Sequence, residues 1–88
     1  MKRITLYTKS GEKLFAGNPT DLPLDEAEID KEAQKRFGER VCPQRYAVIR
    51  QIILVGIFES NSNEIIIPDK YKGYLKHKNA YKIAVYNA

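Results

Sequence analysis

This chain reads as a small α+β domain: two β-hairpins and a C-terminal strand form an antiparallel or mixed sheet, covered on one face by one helix at about residues 25–37. Three observations lead to that class. Residues 4–16 alternate apolar and polar side chains about a Ser-Gly turn, residues 25–37 carry a helix's cap, charge gradient and stop, and two aliphatic stretches flank Ser60-Asn61-Ser62-Asn63. Strands with a single amphipathic helix are the pattern of a sheet covered on one side.

In the first hairpin Ile4, Leu6 and Thr8 alternate with Thr5, Tyr7 and Lys9, and Ser10-Gly11 supplies a two-residue turn. That turn sets Lys9 opposite Glu12, Tyr7 opposite Leu14 and Leu6 opposite Phe15. One opposite-charge pair and two apolar pairs fall in register, which is what cross-strand packing rewards. Residues 17–23, with Pro19 and Pro23, form a loop.

The helix follows. Asp25 and Glu28 stand at capping-box spacing, with Asp in place of the usual Ser or Thr. Asp25, Glu26, Glu28 and Asp30 crowd the first turns, Lys31, Lys35 and Arg36 the later ones, and this order matches the helix dipole. Gly38 provides the stop. The apolar stripe of Ile29, Ala33 and Phe37 is narrow, so one face meets a sheet while the rest stays wet.

Residues 44–60 admit two readings. Val48, Ile49, Ile52, Ile53 and Ile57 recur at three- and four-residue steps, which suits a helix opened by Pro43, or a helix over 44–51 leading into a shorter strand. The density of Val and Ile favours a central strand from about Tyr46 to Phe58, and this is the expectation adopted. Glu64 to Ile67 is then its return strand, ended by Pro68. A short helix begins at Pro68, weakened by Gly73. Ala80 to Tyr86 closes the sheet with Tyr81, Ile83 and Val85 on one face.

Eighty-eight residues leave room for one domain, and a chain of this size buries roughly 60–65% of its unfolded surface. The hydrophobic fraction of 43% suits a globular fold. The longest apolar run, Ile52 to Phe58, is far short of the ~20 residues that span a bilayer. With a single cysteine and no secretory run after the basic Met1-Lys2-Arg3 start, the expectation is a soluble cytoplasmic protein without membrane contact. The net charge of +4 is unevenly spread. Residues 1–44 hold eight basic and eight acidic side chains, whereas residues 45–88 hold seven basic and three acidic ones.

No motif calls for catalysis, a metal or a cofactor. Cys42 and His77 show no ligand spacing and read as a boundary residue and a member of a basic run. The helix carboxylates read as a solvated face. Glu59 and Glu64 flank the second turn and can approach across it, although solvating two strand ends is the simpler role. The five glycines are scattered singly, so no phosphate loop exists.

The constellation that points to function is residues 70–82, with five lysines, three tyrosines, one histidine and no acid in thirteen residues. Lysines neutralise phosphates and tyrosines offer faces for stacking, so Lys70, Tyr71, Lys72, Tyr74, Lys76, Lys78, Tyr81 and Lys82 make a candidate binding surface. Arg45 and Arg50 extend it if their strand lies alongside. Base reading relies mainly on Arg, Asn and Gln, so recognition led by the backbone is expected. Substituting Lys72 and Lys76 by Ala should then weaken binding and flatten its salt dependence. The alternative is a protein-binding inhibitor or adaptor anchored by Tyr71 and Tyr74, since Tyr is enriched at interface hot spots. The lysines also suit a third role, guarding exposed sheet edges.

The run Ile53-Leu54-Val55-Gly56-Ile57-Phe58-Glu59 resembles a strand of the small β-barrel RNA-binding domains related to PUA and ASCH modules. It covers seven of the 88 residues, all of common types. In its small size and lack of a catalytic signature the chain is also similar to phage-encoded inhibitors of host proteins. The expectation is a non-enzymatic binding protein whose partner is nucleic acid, a nucleoprotein complex or a protein, with its oligomeric state left open.

Overall fold

The computed structural model describes residues 1–38 and 43–87. Four strands, β1 (Lys2–Thr8), β2 (Lys13–Gly17), β3 (Glu64–Ile66) and β4 (Ala80–Asn87), form one antiparallel sheet in the order β2-β1-β4-β3. The helices are α1 (Glu26–Phe37), α2 (Pro43–Phe58) and the short α3 (Asp69–Lys72), and Pro19–Asp21 forms a 3-10 turn. The α+β class and the antiparallel sheet are as the sequence indicates. None of the described helices is long and apolar enough to cross a membrane.

The first hairpin forms, with Leu6 opposite Phe15 as expected. Its turn is wider than two residues. Thr8 N donates to Glu12 O at 2.9 Å and Gly11 N to Thr8 O at 3.0 Å, so Lys9, Ser10 and Gly11 form a three-residue loop. Gly11 takes φ 93°, a left-handed conformation that closes this loop. Lys9 therefore sits in the turn instead of facing Glu12, and Tyr7 pairs with Lys13. A bulge between Leu6 and Tyr7 absorbs Leu14 and restores the register beyond it.

Asp25 caps α1, its side chain accepting from the backbone N–H of Ala27 and Glu28, and Gly38 closes it at φ 92°. Glu28 does not complete a capping box, because its carboxylate holds Lys31 at 3.2 Å. Ile29 and Ala33 are buried while Phe37 is exposed, so the narrow stripe meets the core through two residues.

The expected strand over Tyr46 to Phe58 is not formed, and the second hairpin with it. The segment is a sixteen-residue helix, α2. Pro43 stands at its start, where a missing N–H costs nothing. Ile49, Ile53 and Ile57 fall every four residues and are buried with Leu54. Val and Ile lose at most about 0.7 kcal/mol each of helix propensity, whereas burying each of those four side chains gains roughly 1.5–3 kcal/mol. Burial wins. Most of the strand-like run, Ile53 to Phe58, is the end of this helix, so its resemblance to an RNA-binding barrel strand falls with it.

β3 then pairs with β4 rather than with its upstream neighbour. Ile4, Leu6, Ile65, Ile67 and Ile83 meet Ile29, Ala33, Ile49, Ile53, Leu54 and Ile57 in one core, joined by Leu22, Leu24 and Leu75. The helices thus cover one face of the sheet.

Candidate functional site

The lysine- and tyrosine-rich segment is divided among three parts of the fold. α3 ends at Lys72, residues 74–76 join the loop before α1, and β4 begins at Ala80. The middle part is tied down by backbone bonds: Asp25 N donates to Tyr74 O at 2.8 Å and Lys76 N to Pro23 O at 3.1 Å, flanking a Leu24–Leu75 bridge.

Those ties decide where each side chain goes. Tyr71 and Tyr74 are half-buried against the core. Tyr74 donates its hydroxyl to Glu32 Oε2 at 3.3 Å. Lys72 pairs with Asp69 at 3.2 Å, Lys78 with Asp25 at 2.9 Å, and Lys82 with Glu64 at 3.6 Å. Lys70 lies 5.1 Å from the Tyr71 ring centre. Lys76 is exposed. Two cations lie near the Tyr81 ring, Lys9 from the first turn at 6.0 Å and Lys72 at 5.9 Å from its centre.

Arg45 and Arg50 belong to α2. Arg45 donates to Phe37 O at 3.1 Å and lies over the Phe37 ring. Arg50 donates to Thr20 O at 2.8 Å and to Leu22 O at 3.4 Å. Each clamps α2 to neighbouring backbone.

What the fold does gather is the uncovered sheet face. With Ile4, Leu6, Ile65 and Ile83 turned to the core, the alternate positions face outward. Across the strands they run Lys13, Tyr7, Lys82 and Ile66 in one row, then Ala16, Thr5, Ala84 and Glu64. Arg3 and Tyr86 form the third row. Small residues fill the middle and an aromatic ring with cations stands at either end. Lys82 Nζ lies 5.7 Å from the Tyr7 ring centre. Tyr86 is 45% exposed and Ile66 51% exposed. Only Lys82 of the sequence-predicted residues belongs here. Arg3, Tyr7, Lys13 and Tyr86 lie outside the basic run of the sequence, and the parity of Tyr7 against Ile4 and Leu6 is the sign in the sequence that points to them.

Other chemistry is thin. Glu59 and Glu64 line one cleft of about 300 Å³ together with Lys70 and Tyr71. Among the described residues no three His, Cys, Asp or Glu side chains gather to hold a metal ion. Cys42 lies outside the described residues, and His77 is half-buried before β4. A second cleft of about 190 Å³ lies between α2 and the 3-10 turn, lined by Pro19, Thr20, Gln51, Leu54, Val55 and Phe58.

Perturbed ionisation marks structural pairs. The Lys78 ammonium, with the Glu28 amide, holds the Asp25 carboxyl below its ordinary value. The Arg36 guanidinium does the same for Glu32, aided by Tyr74. Burial pushes the Tyr46 and Tyr74 phenols up, and nearby carboxylates add to the effect. No family model, curated protein or solved structure matches this chain.

Proposed function

We propose that this protein acts by binding single-stranded nucleic acid, with weak sequence preference, on its uncovered sheet face. The observation that carries the reading is the placement of Tyr7 and Tyr86 near opposite ends of that face, beside Lys82, Lys13 and Arg3. An open antiparallel sheet bearing aromatic rings and cations provides stacking faces for unpaired bases and charge for their phosphates. The centre is lined by the small side chains of Thr5, Ala16 and Ala84, with Thr5 itself buried among its neighbours. The reading keeps nucleic acid as partner and moves the contact from residues 70–82 to the sheet, retaining Lys82. Tyr81 with Lys9 and Lys72 extends the basic surface beyond the sheet's end.

Fluorescence anisotropy with labelled oligo(U) and oligo(dT), taken over a salt series, tests this. Micromolar binding with a negative salt slope is expected, lost in Tyr7→Ala with Tyr86→Ala. No affinity at low salt, or binding untouched by that double substitution, overturns it.

A protein partner is the second reading, supported by the exposed aliphatic side chains of α2. Tyr71 and Tyr74, half-buried against the core, offer it only part of their rings.

A further inference from the structure

Two clefts meet on one side of the molecule. The larger, of about 190 Å³ between α2 and the 3-10 turn, reaches Leu54 and Val55. The smaller, of about 140 Å³, lies at the end of the sheet against Ile65 and Val85. Pro19 and Phe58 line both, so the two make one apolar groove. Its walls are pinned. Arg50 donates to Thr20 O at 2.8 Å and ties the 3-10 turn to α2. Asn61 N donates to Phe58 O at 3.3 Å and Val85 N to Asn63 O at 2.8 Å, which fixes the turn after α2 to the sheet. A groove with its walls already held costs a ligand little ordering.

The polar groups gather at the sheet end. Lys2 has the parity of Ile4 and Leu6, so its side chain leaves the sheet on the helix side and lines the smaller cleft with Asn61 and Ser62. Asn61, at φ 50° in the left-handed region that asparagine tolerates, accepts from Lys2 Nζ through Oδ1 at 2.6 Å. That bond uses one of three ammonium donors and neutralises no charge. Among the described residues no carboxylate forms an ion pair with Lys2, and no acidic side chain lines either cleft. Lys2 is thus the one charged group among the described lining residues.

We infer that the groove binds a free aliphatic monocarboxylate, its head on Lys2 beside Ser62 and its chain passing Phe58 and Pro19 towards Leu54. The charge selects the head. A carboxylate accepts from the remaining ammonium donors, whereas a cationic head would meet a like charge. The apolar walls select the body, and the volumes its length. Neither cleft reaches the ~300 Å³ of a drug-sized site. If a methylene takes about the ~30 Å³ of a water molecule in the liquid, the two spaces hold roughly five and six heavy groups, the size of octanoate or decanoate. The groove opens on the helix side of the sheet, so the inference is independent of what the uncovered face binds.

NMR titration of the isotope-labelled chain with the sodium salts from acetate to decanoate tests this. Amide shifts should concentrate at Asn61, Ser62, Ile65 and Val85, with octanoate binding at roughly 0.1–1 mM. Affinity should rise about 2- to 4-fold per methylene from butyrate to octanoate. Octylammonium should bind about 3- to 10-fold more weakly than octanoate. Lys2 is exposed, so Lys2→Glu should reverse that preference with circular dichroism unchanged. Lys2→Met should abolish the preference and leave 1-octanol binding as it was. An affinity independent of chain length overturns the inference, as does equal binding of octanoate and octylammonium or the absence of shifts at about 20 mM octanoate. Binding to phosphatidylglycerol vesicles with none to octanoate would assign the groove to a membrane surface and overturn it too.

Discussion

The Tyr71 ring lies against Gly56 so closely that a methyl group at position 56 would overlap the phenolic oxygen. Glycine is thus required in the last turn of α2 by its neighbour and not by its own backbone. Gly→Ala at an exposed helix position gains about 1 kcal/mol of propensity. Here the sign should reverse, with Gly56→Ala destabilising by about 1–3 kcal/mol through overpacking. In a Tyr71→Ala background the same substitution should become neutral or stabilising. A thermodynamic cycle from urea denaturation measures that coupling.

For the open sheet, each of Tyr7→Ala and Tyr86→Ala should cost about 1–3 kcal/mol of oligonucleotide binding if each stacks one base. Arg3→Ala and Lys82→Ala should each reduce the salt slope by about 0.7, as expected for a lost phosphate contact to single strands. Lys72→Ala with Lys76→Ala serves as the contrast. If residues 70–82 formed the surface, that pair would lose as much as the sheet substitutions; on the sheet reading its effect is smaller.

Acid should loosen the junction of α1 with the segment at Tyr74. Asp25 and Glu32 both have folded-state pKa values held below the ordinary carboxylate values, so their contribution is present above about pH 4 and lost as pH falls through the folded values. Urea midpoints should fall below about pH 4, and Asp25→Asn with Lys78→Met should flatten that decline. Tyr74 behaves oppositely. Its pKa is raised, so its contribution is present below about pH 10 and lost as pH rises through the folded value. Tyr74→Phe should blunt the alkaline loss while removing the hydrogen bond to Glu32.

Gly11 has open space where a Cβ would stand, yet its φ is 93°. Gly11→Ala should therefore destabilise by about 1–2 kcal/mol through backbone strain alone, readable as a lower melting temperature with the sheet register intact.

Local signals made part of this molecule legible. Asp25 before a run of acids, and Gly38 after a run of bases, delimit α1 because capping and dipole effects act within a few residues. Alternation about a glycine turn located the first hairpin, alternation of Tyr81, Ile83 and Val85 located β4, and Pro68 marked the start of α3. The turn length was misjudged, since Leu14 could be absorbed in a bulge and any register preserving Leu6 opposite Phe15 satisfies the pattern.

The candidate site was less legible. Residues 70–82 were grouped because they are adjacent in the chain, yet the backbone pairing of 74–76 with 23–25 turns Tyr71 and Tyr74 inward and gives Lys78 to Asp25. The open face joins Arg3 to Tyr86 and Tyr7 to Lys82, pairs that only the register of β1 with β4 creates.

The α+β class, the first hairpin, α1 and the closing strand are legible from local patterns of alternation, capping and turn residues. The tertiary structure decided α2. Its Val and Ile content favours a strand when counted residue by residue, while its four-residue spacing of Ile49, Ile53 and Ile57 favours a helix. Packing against the sheet settles the contest, since burying that stripe gains several times what helix propensity loses. The same packing leaves Val48, Ile52 and Val55 outside, and it fixes which sheet face stays uncovered.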